Sequence, residues 1–278
     1  MLRNHNPLIA IQGSIASFHD LAAKKYFGDH ISTLQCESFK EVCDKIAAAH
    51  ADYGVIAIEN KVAGSILLNY QLIDMFDLRI MGEIFLPIKL QLLAKKDVEL
   101  KDIKEIVSHP MALGQTQLFL AGLKNIIVTE YRDTSTSAQL VAENIVGTMA
   151  VIAGPAVAKQ YNLKVLVDNI CDVKTNFTRF YILSKNEDFI SDPDKASITL
   201  KISNIAGTLS DILLIIKNNK LNLTKIQSIP VCNDDSAYSF LLDVEFQYKS
   251  AFEKTIVALK AYTKSLKILG MYKGQKIN

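Results

Sequence analysis

Charge of neither sign prevails in this chain of 278 residues, where 31 Lys and Arg stand against 29 Asp and Glu. A protein that tracks phosphates carries a basic surplus, so nucleic acid is not an expected partner. No apolar stretch reaches the ~18 uninterrupted residues of a membrane span. The start, "MLRNHNPLIAIQG", has only a short apolar run that reads as a strand. Neither a membrane segment nor a signal peptide is therefore expected. The cysteines, Cys36, Cys43, Cys171 and Cys232, form no CxxC pair and no zinc-like spacing. They read as free thiols of a reducing cytosol, which makes the expected localisation cytoplasmic. The histidines, at 5, 19, 30, 50 and 109, show no HExxH and no paired spacing, so no metal site is expected.

What is present is apolar material in quantity. Hydrophobic residues make up 49% and charged residues 22%, as in a packed globular protein, and the length suits two domains. "PLIAIQG" reads as a buried strand, and "SIASFHDLAAKKYFG" as a helix on the spacing of Phe18, Leu21, Ala22 and Lys25, with Gly28 as its C-cap. "ISTLQC" and "YGVIAIE" are further strands around the helix "FKEVCDKIAAAH". The helix "GSILLNYQLIDMF", the extended "LRIMGEIFLPIKLQLLAKK" and further alternation through "PAVAKQYN" follow. This order predicts an α/β architecture with mostly parallel strands. The charged stretch 184–197 carries Pro193 and reads as a linker, with 186–195 its expected extent between domains at 1–185 and 196–278. Beyond it the pattern is β-α-β-β-α-β, a ferredoxin-like unit.

Open α/β sheets bind ligands beyond the carboxyl ends of their strands, and four polar clusters occupy such places. "IQGSIAS" (11–17) joins the first strand to the first helix; it is either an anion-facing turn or a plain one capped by Ser14 or Ser17. "AIENKVAGSI" (57–66) ends a strand in Glu59 and Asn60, and Gly64 and Ser65 are expected to open the next helix, facing a carboxylate or merely capping. "VSHPMALGQTQ" (107–117) sets Ser108 and His109 at a strand end, with Pro110 at the first helical position and Gln115 about a turn and a half on. The plain alternative makes Ser108 or His109 a cap. In "NFTRFYIL" (176–183), Thr178 and Arg179 lie between two phenylalanines, and periodicity alone reads the segment as a simple strand.

Taken in this order, the clusters resemble the prephenate dehydratase family. The likeness is carried by "IQGSIASFHDLAA", "GVIAIENKVAGSI", "SHPMALGQ", "DTSTSAQLVAE", "AVIAGPAVAKQY" and "NFTRF". It continues through "GTLSDILLIIKNNKLNLTKIQSIP", which is similar to the family's C-terminal ACT domain. The resemblance implies a two-lobed catalytic unit like a periplasmic binding protein, followed by a βαββαβ ACT domain. It implies decarboxylating dehydration of prephenate to phenylpyruvate by a stand-alone enzyme without metal or organic cofactor. Thr178 falls on the family's catalytic threonine. Asn60, Ser108 and Gln115 fall on positions tied to substrate binding and activity, and Arg179 on the motif's arginine; Glu59 and Ser65 stand beside them. A homodimer or homotetramer with phenylalanine feedback is also implied.

The departures lie mostly in the regulatory part. The family's Gly-Ala-Leu appears as Gly207-Thr208-Leu209 after Ala206, where proline is usual. Its Glu-Ser-Arg-Pro appears as Gln227-Ser228-Ile229-Pro230, without the acid or the arginine. Gly207, Thr208, Leu209, Asn222 and Ser228 are the regulatory candidates, and a purely structural ACT domain is the alternative. Lys61 follows Asn60 where a small polar residue is usual, and Gly154-Pro155 replaces a common Ser-Glu pair. The rival readings are an arogenate dehydratase and a non-catalytic amino-acid sensor with the same domains.

Overall fold

The computed structural model describes residues 6–131, 134–144, 147–186, 190–229 and 237–276. His5, Pro230, Cys232 and residues 187–189 of the expected linker lie outside them. The chain divides into two compact units: one runs to Asn69 and resumes over Ile84–Phe180, the other comprises Tyr70–Glu83 and the chain from Tyr181 onward.

The first unit opens with β1 (Leu8–Gln12), whose central Ile9, Ala10 and Ile11 are wholly buried. Ser17, in extended conformation, accepts from the amide of Asp20 and starts α1 (Phe18–Phe27), which Gly28 ends. Next come β2 (Ser32–Cys36), α2 (Phe39–Ala47) and β3 (Tyr53–Asn60), with β2 and β3 parallel to β1 on either side. A side chain at Gly54 would sit 2.3 Å from Ile46 Cδ1, so glycine there is what lets α2 lie close on β3.

Gly64 and Ser65 do not open a helix as expected. They form β4 (Gly64–Ser65), antiparallel to β3 with Asn60 opposite Gly64 and Glu59 opposite Ser65, and α3 (Leu67–Met75) starts two residues later. Gly64 has φ +80°, a value glycine reaches without steric cost, and it turns the chain back on β3. After β5 (Arg79–Pro87), β6 (Gln91–Ala94) enters the second lobe.

That lobe continues with β7 (Glu105–Ser108), α4 (Pro110–Gly114), α5 (Gln117–Ala121), β8 (Ile127–Glu130), α6 (Thr134–Glu143), β9 (Met149–Ala153), α7 (Pro155–Gln160) and β10 (Lys164–Val167). The chain then returns to the first sheet as β11 (Phe177–Ser184). The first sheet has the order β2-β1-β3-β11-β5 with β4 on β3, and the second β10-β6-β9-β7-β8. The second sheet is mixed rather than mostly parallel: β7 runs with β8 and β9, but β6 runs against β9 and β10. Leu92, Ile106 and Ile152 pack in one core while Leu93, Val107 and Val151 pack in another. This is the two-residue alternation of strands covered on both faces.

The second unit holds β12 (Lys195–Ser203), α8 (Thr208–Asn218), β13 (Asn222–Ile229), β14 (Ala237–Glu245), α9 (Lys249–Lys260) and β15 (Ser265–Tyr272). The sheet order is β13-β14-β12-β15, antiparallel throughout, as a ferredoxin-like βαββαβ chain requires. Ala196, Ile198, Leu200 and Ile202 of β12 face a core with Ile212 and Ile216 of α8 and Phe252, Ile256 and Leu259 of α9.

The opposite face of this sheet is polar, yet buried. Ser197 Oγ donates to Asp243 Oδ1 at 2.6 Å, the Tyr181 hydroxyl to the same oxygen at 3.1 Å, and the Tyr272 hydroxyl lies 2.7 Å from Ser197 Oγ. Lys195, the last residue of the expected linker, instead opens β12; its Nζ is 2.9 Å from the fully buried Glu83 carboxylate. A side chain at Gly270 would meet the Ile80 carbonyl oxygen at 2.0 Å, so the Tyr70–Glu83 segment lies directly on β15. Among the described residues no helix is long and apolar enough to cross a membrane.

Candidate active site

β3 and β11 are neighbours in the first sheet, and this brings Asn60, at the end of one, to Thr178, near the start of the other. Asn60 Nδ2 donates to Thr178 Oγ1 at 3.0 Å and to the Phe177 carbonyl at 3.2 Å. The orientation of the amide is fixed from its other end, because Oδ1 accepts from the backbone amides of Val62 at 2.9 Å and Ala63 at 3.0 Å. The oxygen can occupy only the side where the two N–H donors are.

The second lobe closes this cluster. Gln115 caps the C-terminal end of α4, a helix of only five residues, so it stands at the helix end and not a turn and a half within it. Its Nε2 reaches Asn60 Oδ1 at 3.4 Å, and its Oε1 accepts from Asn176 Nδ2 at 3.0 Å. Asn60, Gln115, Asn176 and Thr178 are all buried. Asn176 stands in the Asn-Phe-Thr-Arg-Phe stretch, but its alignment with Gln115 had no sequence signal of its own.

Other candidates lie apart from this cluster. Arg179 follows Thr178 in an extended strand and points to the opposite face. Its guanidinium is 5.8 Å from the Phe85 ring, and its Nη1 is 3.8 Å from Glu59 Oε2. Glu59 alternates with Asn60 in the same way, and Ser65 stands opposite Glu59 in the β3–β4 pair. Glu59, Ser65 and Arg179 thus share one face, Asn60 and Thr178 the other. Gly64 starts no helix, so the helix N-terminus expected there is absent, and strand alternation turns Arg179 to the face opposite Thr178. Ser108, at the end of β7, is fully buried and turned inward; its hydroxyl donates to the Ile152 carbonyl. His109 is the cap of α4, its Nδ1 accepting from the Met111 amide at 3.2 Å. Lys61 reaches Thr175 Oγ1 at 2.9 Å and lies 5.8 Å from the Phe177 ring.

The β1–α1 connection runs between the lobes. The Ile15 carbonyl accepts from Ser135 Oγ of α6 at 2.9 Å, and Phe18 packs so close to Gly154 that a side chain there would be 3.1 Å from the ring. Ser17 is the α1 cap, whereas Ser14 Oγ is buried and has no hydrogen-bond partner among the described residues. The same holds for Asn176 Oδ1 and for His19 Nε2. Burial lowers the pKa of His19 to about 3, with the nearby His109 adding to the effect, so the imidazole is neutral near pH 7. A cavity of about 570 Å³ opens at the carboxyl ends of β7 and β8, lined by Pro110, Glu130, Tyr131 and Thr136. Among the described residues no three His, Cys, Asp or Glu stand close enough to hold a metal ion.

In the second unit, Gly207, with φ +92°, precedes α8, Thr208 Oγ1 donates to the Ile205 carbonyl, and Leu209 packs on the core. Asn222 opens β13 and donates to Glu245 Oε2 at 3.1 Å. Ser228 stands six residues further along the strand, ~20 Å away at ~3.3 Å per residue, so Asn222 and Ser228 are not brought together.

The chain is 33% identical over 269 residues to the bifunctional chorismate mutase/prephenate dehydratase of Aquifex aeolicus, covering 95% of this chain and 73% of that one. It is 31% identical over 282 residues to arogenate dehydratase 2 of Petunia hybrida, covering 95% and 71%. Among solved structures, GqqA, described as a novel type of quorum quenching acylase, has a TM-score of 0.86 at 26% identity over 96% of this chain and 98% of its own. The prephenate dehydratase of Arthrobacter aurescens in complex with L-Phe has a TM-score of 0.85 at 26% identity, over 96% and 89%. The prephenate dehydratase family model matches residues 9–188 and so spans both lobes with every member of the Thr178 cluster; the chain belongs to the prephenate dehydratase family.

Proposed function

We propose that this chain is a prephenate dehydratase, a carbon–oxygen lyase that converts prephenate to phenylpyruvate, carbon dioxide and water. The bond from the ring to its carboxylate breaks, and its electron pair enters the ring as the opposite hydroxyl leaves with a proton. The ring becomes aromatic, and no net oxidation occurs. The protein must help hydroxide depart and let the ring carboxylate lose its charge.

The observation that carries the reading is the direction of the Asn60–Thr178 hydrogen bond. Because Thr178 Oγ1 accepts from the Asn60 amide, its own proton is free to be donated. Thr178 thus serves as hydrogen-bond donor to the leaving hydroxyl, and a positioned acid contributes ~10²–10⁴-fold. Its side-chain neighbour is an amide and not a base, which favours a donor over an activated nucleophile. Gln115 and Asn176 complete the polar wall, and Lys61 adds positive potential at the end of β3 for a dianionic substrate. Holding the ring carboxylate too firmly would stabilise the ground state and slow its loss, so the firm contacts belong to the pyruvyl carboxylate. Arg179 and Glu59 support the strand from behind.

In the same reading, residues 1–185 carry the catalytic domain, and after a linker that ends before Lys195, which opens β12, the chain to 278 forms an ACT domain. Gly207, Thr208, Leu209, Asn222 and Ser228 are its candidates for phenylalanine binding, with feedback on the reaction. The protein works in the cytoplasm as a homodimer or homotetramer. The second reading, arogenate dehydratase, is favoured by the Petunia relative and differs by an amine in place of the side-chain ketone.

The test is phenylpyruvate formation from prephenate near neutral pH by wild type and Thr178→Ala side by side. Activity that falls at least ~100-fold in the mutant supports the enzyme and the donor role. Activity that survives the mutation refutes the role of Thr178. Turnover of arogenate alone assigns the second reading, and turnover of neither refutes both.

A further inference from the structure

We propose that His19 is a second contact to the substrate, its Nε2–H donating a hydrogen bond to a substrate carboxylate. The inference rests on the dehydratase reading above and deepens it.

Three observations meet at this side chain. The ring is fixed on two sides, with its centroid 5.1 Å from Phe180 in an edge-on contact and 5.3 Å from Phe39. Its Nε2 is nevertheless buried and has no hydrogen-bond partner among the described residues. A buried polar atom without a partner costs about 1–3 kcal/mol and is rare in native proteins unless something else pairs with it. Finally, the ring is near the chemistry. Phe180 and Thr178 are two apart in β11 and project from the same face ~7 Å from one another. The His19 ring thus packs against the face of β11 from which Thr178 also projects.

The chain flanking His19 runs between the lobes. Phe18 packs on Gly154 and Ile15 is bonded to Ser135, both in the second lobe, and the cap of α4, His109, is near enough for its charge to act on His19. Ser14 Oγ in the same connection and Asn176 Oδ1, two residues before Thr178, are also buried without partners among the described residues. A neutral imidazole offers an N–H there without a fixed charge. It can orient a carboxylate while leaving the site dry and the ground state only modestly stabilised.

The test compares His19→Phe, which keeps a flat ring but loses the donor, with His19→Gln, which retains an N–H. The expected result is a KM for prephenate raised about tenfold to a hundredfold in the Phe variant, the range of a hydrogen bond to a charged group, with kcat within about threefold and partial recovery in the Gln variant. A KM within twofold of wild type in a folded Phe variant overturns the inference while leaving the dehydratase intact. A wild type that turns over neither prephenate nor arogenate overturns both. A second measurement needs no change at His19: prephenate added to ¹⁵N-histidine-labelled Thr178→Ala protein should shift the His19 Nε2 resonance. No shift at saturating prephenate overturns the contact.

Discussion

Asn60 and Thr178 lie 118 positions apart in the chain, and the amide nitrogen of the first is 3.0 Å from the hydroxyl oxygen of the second. The direction of that bond is testable. Replacing the amide by a carboxylate, Asn60→Asp, reverses it, because the carboxylate accepts and so captures the Thr178 proton. The expected outcome is a kcat at least ~100-fold lower with a smaller change in KM, read by steady-state kinetics on prephenate. A kcat within threefold of wild type would show that the donor role does not depend on Asn60.

Arg179 is buried behind the site, with Phe85 and Glu59 about it. Arg179→Met should therefore weaken folding more than substrate binding. Glu59 is partly exposed, which moderates the loss to about 2–3 kcal/mol, below the 3–5 of a fully buried pair. Urea unfolding reads the stability, and KM should stay within threefold. A tenfold rise in KM without lost stability would return Arg179 to the substrate.

His19 also makes stability depend on pH. Its pKa is about 3 in the folded protein against an ordinary 6.5. Between those values the unfolded chain binds a proton that the folded protein does not, so stability falls as pH falls through this window and levels below it. His109 acts on His19 in the same direction, since its charge opposes protonation. The midpoint of urea unfolding should decline from pH 6.5 towards pH 4 more steeply in wild type than in His19→Phe. Parallel curves would show that the ring is accessible to protons.

Lys195 and Glu83 form an ion pair with almost no exposure, and the Gln275 amide also donates to Glu83 Oε1 at 2.9 Å. Removing one charge strands the other, so Lys195→Met should cost about 3–5 kcal/mol. Adding Glu83→Gln to it should recover part of that loss. Thermal melts of the single and double variants decide this; equal losses in both would mean that the pair is not the source of the cost.

Element types were largely legible in the sequence, because apolar periodicity and caps such as Ser17 and Gly28 act locally. The sites that escaped were those decided at a distance. Gly64 and Ser65 carry a helix-start signal, but pairing with β3 captures them as a strand. Arg179 is adjacent to Thr178 in sequence and on the other side of the sheet in space, which alternation could have foretold but motif adjacency obscured. Asn60 and Thr178 were legible through family resemblance alone, since no local rule links residues so far apart. His19 had no signal at all: its interest lies in an atom left without a partner, and partners become visible only after folding.

The segment Tyr70–Glu83 belongs with the C-terminal sheet and interrupts the first unit, so the two units cannot be separated by one cut. A fragment ending at Lys185 would retain Glu83 without Lys195, Tyr181 without Ser197 or Asp243, and Ile80 without the β15 backbone that covers it. Such a truncation creates raw surface in the very ribbon that carries Thr178. Evolution by shuffling whole modules faces the same obstacle: a replacement for the C-terminal sheet has to bring its own cover for this segment.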